Sequence, residues 1–176
     1  TITVTVTDAN DNRPVITSRD TFTVEENQLS VGTVTFTDAD AGSNDPDWKA
    51  FFVGGADGDN FNIGFKTGVI TFKEAPDFET KSSYSITVNV SDGSLPETTQ
   101  NITVNVTNVN DNAPVFTSSA TFSAAENQTA IDTVTATDAD GDVVTFSVSG
   151  SELAITSAGV LTFVTAPDFE TKSSYT

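Results

Sequence analysis

An all-β fold, arranged as tandem two-sheet sandwiches, is what this sequence predicts, and three observations predict it. Short runs alternate apolar and polar residues. Val, Ile, Thr and Phe supply most of the bulk while Leu is scarce, within a hydrophobic fraction of 36%. The chain also repeats itself at an interval near 95 residues. β-branched and aromatic side chains pack well on a pleated surface and lose rotamer freedom in a helix, so this composition favours strands.

Taken in order, the first run is Thr1-Ile2-Thr3-Val4-Thr5-Val6-Thr7, whose period of two puts the apolar residues on one face. Asn10-Asp11-Asn12 and Arg13-Pro14 follow as a short linker. The stretch from Ala41 to Gly64 is rich in Gly, Asp and Asn and reads as a long loop. Alternation returns in Tyr84-Ser85-Ile86-Thr87-Val88-Asn89-Val90 and in Asn101-Ile102-Thr103-Val104-Asn105-Val106, both expected as half-buried strands. No stretch sustains a helical period.

The repeat fixes the organisation. Asn10-Asp11-Asn12 recurs as Asn110-Asp111-Asn112, Glu26-Asn27-Gln28 as Glu126-Asn127-Gln128, and Thr37-Asp38-Ala39-Asp40 as Thr137-Asp138-Ala139-Asp140, all at a shift of 100. Ala75-Pro76-Asp77-Phe78-Glu79-Thr80-Lys81-Ser82-Ser83-Tyr84 returns from Ala166 to Tyr175 at a shift of 91, so the second copy has a shorter loop. A unit of this size, made of short alternating strands, matches an immunoglobulin-like sandwich and not a solenoid. Residues 1–12 are expected to be the last strand and linker of a preceding repeat, 13–112 a complete repeat with its linker, and 113–176 a partial repeat lacking its last two strands. With no initiator Met and no signal segment, the chain is expected to be an internal piece of something larger. Phe72, Phe78, Phe163 and Phe169 repeat with the unit and are expected to pack in cores or at junctions.

Charge and composition exclude several function classes. The chain carries 25 Asp plus Glu against 7 Lys plus Arg, a net charge of -18, which repels phosphate backbones and rules out nucleic acid as a partner. Cys and His are absent, which removes disulfides, Cys/His zinc sites and His-based catalytic triads. No apolar run is long enough to span a membrane as a helix. An enzyme is not expected.

Twelve of the 25 acids occupy repeated positions, Asp11, Glu26, Asp38, Asp40, Asp77 and Glu79 with their copies Asp111, Glu126, Asp138, Asp140, Asp168 and Glu170, and Asp92 adds a further acid to the first copy. Asp, Glu, Asn and backbone carbonyls are the donor set of a hard cation, and a demand for six to eight oxygens points to Ca2+. The spacings Asp38-Ala39-Asp40 and Asp77-Phe78-Glu79 put two carboxylates on one side of an extended segment.

In this order these motifs, with Ser91-Asp92-Gly93 and Asp8-Ala9-Asn10-Asp11-Asn12, resemble the cadherin family over essentially the whole chain. The resemblance is to repeats of the kind found in large prokaryotic surface and adhesin proteins. It implies seven-stranded Greek-key sandwiches that bind up to three calcium ions at each junction between repeats. Glu26, Asp77, Glu79 and Asp111 would then bind one ion, and Glu26, Glu79, Asp111, Asp140 and the Val109 carbonyl a second. Asn110, the Asn112 carbonyl, Asp138 and Asp140 would begin a third. At the N-terminal junction Asn10, the Asn12 carbonyl, Asp38, Asp40, the Asn44 carbonyl and Asp92 would form a further site beside Asp11. Asn108 stands where the family usually has Asp.

The function implied is that of a calcium-binding extracellular repeat of a large adhesin or surface fibre, a calcium-rigidified structural and adhesive spacer at the cell surface. Its partners would be neighbouring repeats of the same or an identical chain, with cell-surface proteins or polysaccharides beyond them. The alternative is a calcium-dependent carbohydrate-binding module using Trp48, Phe51 and Phe52 as a sugar-stacking platform.

Overall fold

The structure, a computed structural model, describes residues 1–7, 9–40, 50–93 and 96–176. It consists of two compact units, Thr1–Val109 and Asn110–Thr176.

Among the described residues the first unit is all-β apart from one 3-10 turn, Gly58–Asn60. Its strands are β1 (Val15–Ile16), β2 (Thr21–Glu25), β3 (Ser30–Thr33), β4 (Phe36–Thr37), β5 (Ala50–Gly54), β6 (Phe61–Ile63), β7 (Val69–Phe72), β8 (Ser83–Ser91) and β9 (Thr98–Thr107). One sheet runs β2-β9-β8-β5 and the other β3-β7-β6, while β1 pairs with β4. Thus β1 and β2 are successive lengths of chain given to different partners, as are β3 and β4. Joined that way, the nine segments are seven strands. All pairings are antiparallel except β2 with β9, which is parallel in the register Phe22↔Val104 and Val24↔Val106.

Alternation decides which side chains are buried. Ile86, Val88 and Val90 of β8 are each 0% exposed, and Ile102, Val104 and Val106 of β9 join them beneath Phe22, Phe51, Phe61, Ile70 and Phe72. Their neighbours Ser85, Thr87, Asn101 and Thr103 point to the other face, where Thr87 Oγ1 donates to Asn101 Oδ1 at 3.0 Å. Gly68 closes the turn before β7 with φ 65 and gives its carbonyl to the Val34 amide at 2.9 Å. A Cβ there would run into the Val34 carbonyl and the Phe51 ring, so only glycine fits.

Phe51 and Phe52 do not form the aromatic platform of the alternative reading. Phe51 is 3% exposed in the core, whereas Phe52 faces outward, edge-on to Phe65 with ring centroids 5.7 Å apart. Adjacent strand residues point to opposite faces, so the two rings cannot share one surface. Trp48 lies outside the described residues.

The second unit repeats part of this plan with β10 (Val115–Phe116), β11 (Ala130–Thr133), β12 (Ala136–Thr137), β13 (Leu153–Ile155) and β14 (Val160–Phe163). β10 pairs with β12, with Val115↔Thr137 matching Val15↔Thr37, and a sheet runs β11-β14-β13. Residues 121–125 and 145–149, the copies of β2 and β5, join no ladder. In the first unit those two strands flank β8 and β9, and the 176 residues hold no second copy of that hairpin. Phe163 still packs on Tyr175 at 5.0 Å, but Phe169, expected to pack, is 63% exposed because no second sheet covers it. Thr1–Thr7 likewise pairs with no described strand, leaving Ile2, Val4 and Val6 exposed. Among the described residues no helix is long and apolar enough to cross a membrane.

Candidate metal centre

Each unit holds its carboxylates in two small assemblies, and the duplication reproduces both. The first centres on Glu26, just past β2. The next residue, Asn27, sits at φ 63, a left-handed conformation that Asn tolerates better than most side chains, and its amide donates to the Pro76 carbonyl at 3.0 Å. This bend turns the Glu26 carboxylate inward, where it is 2% exposed. There Oε2 accepts the Phe78 amide and Oε1 the Val109 amide, both at 2.7 Å. One buried carboxylate therefore joins the Asp77–Glu79 turn to the start of the linker.

That turn is ordered by its own residues. Asp77 accepts the Thr80 amide at 3.1 Å and the Thr80 hydroxyl at 2.9 Å. The Thr80 hydroxyl, more than any other neighbour, holds the Asp77 carboxyl below its ordinary pKa. Asp77 and Glu79 are exposed. In the second unit Asn127 also sits at φ 63, Glu126 Oε2 accepts the Phe169 amide at 3.2 Å, and Asp168 accepts the Thr171 hydroxyl at 2.9 Å. Carboxylate oxygens of Glu126, Asp168 and Glu170 all lie within 4.8 Å of one another. Carboxylate oxygens gathered so closely are of the kind that a hard divalent ion takes as ligands. The sequence marks these three acids as repeated, although the expected ligand set omits them.

The second assembly joins the Asn-Asp-Asn linker to the Asp-Ala-Asp turn. Asp40 accepts the Asp11 amide at 2.9 Å and the Asn12 side-chain amide at 2.7 Å, while Asp38 accepts the Asp40 amide at 3.0 Å. The Asn12 side chain is the main cause of a lowered Asp40 pKa. In the second unit Asp140 accepts the Asn112 amide at 2.8 Å and its side chain at 3.1 Å, and Asp138 accepts the Asp140 amide at 2.9 Å. Asp111 contributes its amide to Asp140 at 3.2 Å. Asn110, expected as a ligand with Asp138 and Asp140, gives its side-chain NH2 to Asp142, which leaves its Oδ1 as the atom that could ligate a cation. Asp92 is buried at the end of β8, 3% exposed, and Asn10 is exposed. Asn44 lies outside the described residues.

A seven-stranded sandwich followed by a partial copy of itself, with carboxylates and amides in duplicated turns, defines a tandem-repeat β-sandwich protein. A family model described as the Cadherin domain matches residues 20–107. Human Protocadherin Fat 4 is 40% identical over 193 aligned positions, covering 99% of this chain, and human Protocadherin Fat 1 is 34% identical over 152, covering 80%. The chain spans 4% and 3% of those two relatives. Among solved structures, human Protocadherin-24 EC1-2 superposes with a TM-score of 0.76 at 20% identity, over 93% of this chain and 82% of that one. The Protocadherin GammaB4 extracellular domain gives 0.72 at 30% identity, over 95% of this chain and 29% of that one.

The chain belongs to the cadherin family. It is an extracellular cadherin repeat and a structural protein, not an enzyme. These comparisons do not support the carbohydrate-binding alternative.

Proposed function

We propose that this chain is a calcium-stiffened spacer from a large surface adhesion protein, working mechanically by projecting or linking what lies beyond it. The boundaries that go with this reading are a final strand and linker at 1–12, a full repeat at 13–112 and part of the next at 113–176. Glu26, Asp77, Glu79 and Asp111 would bind one ion. Glu26, Glu79, Asp111, Asp140 and the Val109 carbonyl would take a second, and Asp138, Asp140, Asn110 and the Asn112 carbonyl would begin a third. Asn10, Asn12, Asp38, Asp40, Asn44 and Asp92, with Asp11 beside them, would serve the N-terminal junction. Neighbouring repeats are the immediate partners, and a cell-surface protein or polysaccharide would be met by the longer assembly.

The observation that carries the reading is the buried Glu26 carboxylate, 2% exposed yet close to the acids of the 77–79 turn through the Phe78 amide. A buried carboxylate beside further carboxylates is costly unless a cation shares it. Bound calcium would supply that charge, and the chain's own residues supply oxygens from turns already hydrogen-bonded into place. Calcium titration of the 176-residue chain by calorimetry, repeated on Glu26→Gln, tests this. Extracellular modules bind calcium with dissociation constants of about 10⁻⁴–10⁻³ M, and the wild type should fall there. Absence of binding at several millimolar calcium would defeat the reading.

A further inference from the structure

Lys81 lies two residues beyond Glu79, an unexpected place for a cation beside acids meant to hold a metal. Its backbone amide donates to the Asp77 carbonyl at 2.9 Å, so it closes the acidic turn. Its ammonium donates to Asp57 Oδ1 and lies 4.8 Å from the centre of the Tyr84 ring. Asp57 is itself anchored, because Oδ2 accepts the Ser85 amide at 2.8 Å and the Asp57 amide donates to the Ser85 carbonyl at 3.1 Å. Tyr84 packs edge-on against Phe61 at 5.6 Å and Phe72 at 5.2 Å, both core residues. The C-terminal side of the turn is therefore tied to the first residues of β8 and to the core. Its N-terminal side is tied to Glu26.

The second unit builds the same arrangement with a different acid. The Lys172 amide donates to the Asp168 carbonyl at 2.9 Å, its ammonium reaches Glu152 Oε1 at 2.7 Å and Oε2 at 2.6 Å, and it lies 4.6 Å from the centre of the Tyr175 ring. Asp57 and Glu152 differ in side-chain length and in local sequence, yet both pair with the Lys that follows the acidic turn. The lysine, the carboxylate and the ring recur together in both units.

We propose that Lys81, and Lys172 in its copy, are positioning residues for cation binding: each straps the acidic turn to its own sandwich through a carboxylate and a tyrosine ring. A chelating turn that must be ordered on binding loses affinity to that ordering, and a turn held beforehand does not. Since the ammonium is matched by Asp57 or Glu152, it restrains the turn without presenting an unmatched charge to an incoming ion.

This rests on the calcium reading above, and the test separates the two. Calcium is titrated calorimetrically into the full 176-residue chain, its Lys81→Met variant and its Lys81→Arg variant, with melting temperatures recorded in chelator. Losing a partner that orients metal ligands costs about 10–100-fold in affinity, so Lys81→Met should bind about tenfold more weakly. Lys81→Arg, which can still pair with a carboxylate and stack on the ring, should recover most of that loss. No calcium binding by the wild type sinks the calcium reading itself. Wild-type binding with equal affinity in Lys81→Met overturns the strap, even if the melting temperature in chelator drops. Equal weakening in both variants also overturns it, because arginine keeps the charge and the ring contact.

Discussion

Glu26 shows how a single side chain can be read twice, once for folding and once for binding. Both of its carboxylate oxygens accept backbone amides at 2.7 Å, so Glu26→Gln would replace one acceptor with an NH2 group facing an N–H. That leaves a buried donor unsatisfied, at about 1–3 kcal/mol, and removes one negative charge from the ligand set. Urea unfolding in chelator should show the stability loss, and calorimetry should show calcium affinity falling by at least about tenfold. Asp57 offers a separate test through pH. Its pKa is lowered from 3.8, chiefly by the Lys81 ammonium, so it binds protons more weakly folded than unfolded. Its contribution is present above pH 3.8 and is lost as pH falls through the folded value. In chelator, the gap in melting temperature between wild type and Asp57→Asn should be constant from pH 7 to 5 and close below about pH 4. The carboxylate motifs were legible in the sequence because duplication repeats them in register. The Lys81–Asp57 pair was not, because it joins residues 24 apart that meet only once β6 and β7 have folded between them.

At the level of strands, alternation carried most of the information. β8 and β9 emerge from the sequence nearly as built, since apolar residues at every second position leave one register that buries them all. The parallel pairing of β2 with β9 was not legible, nor was the sharing of β1 and β2 between different partners. Both depend on where the chain crosses between sheets, and local pattern does not encode that. Ile86 and Gly68 test the packing from opposite directions. Ile86 is 0% exposed at the centre of β8, and Ile86→Ala should cost about 2–5 kcal/mol in chemical unfolding. Gly68→Ala adds a Cβ at φ 65 against the Val34 carbonyl and should cost at least about 2 kcal/mol by the same measurement. Losses below about 1 kcal/mol at either position would mean that the packing described for the first unit is wrong.

Across the whole chain, the two units are unequal. The first encloses a continuous apolar core, whereas the second buries none of its large apolar side chains as deeply. Hydrogen exchange in chelator should therefore be slowest in β8 and β9 and fast at 121–125 and 145–149, whose amides join no ladder. Uniform protection across both units would contradict this. Repetition made both the order of these units and the exposed state of the second legible in the sequence, because aligning the copies shows that 113–176 holds no counterpart of the β8–β9 hairpin. The net charge of -18 makes self-repulsion part of the chain's behaviour, and cations relieve it. At about 1 mM calcium, dissociation constants of about 10⁻⁴–10⁻³ M give about 0.4–1.4 kcal/mol of stabilisation per site. Small-angle scattering of the 176-residue chain, recorded from chelator through about 10 mM calcium, tests the stiffening most directly. The calcium-spacer account predicts a longer and narrower distribution of interatomic distances as calcium rises through the millimolar range, with magnesium a poor substitute. A profile that chelator and calcium leave identical would contradict it.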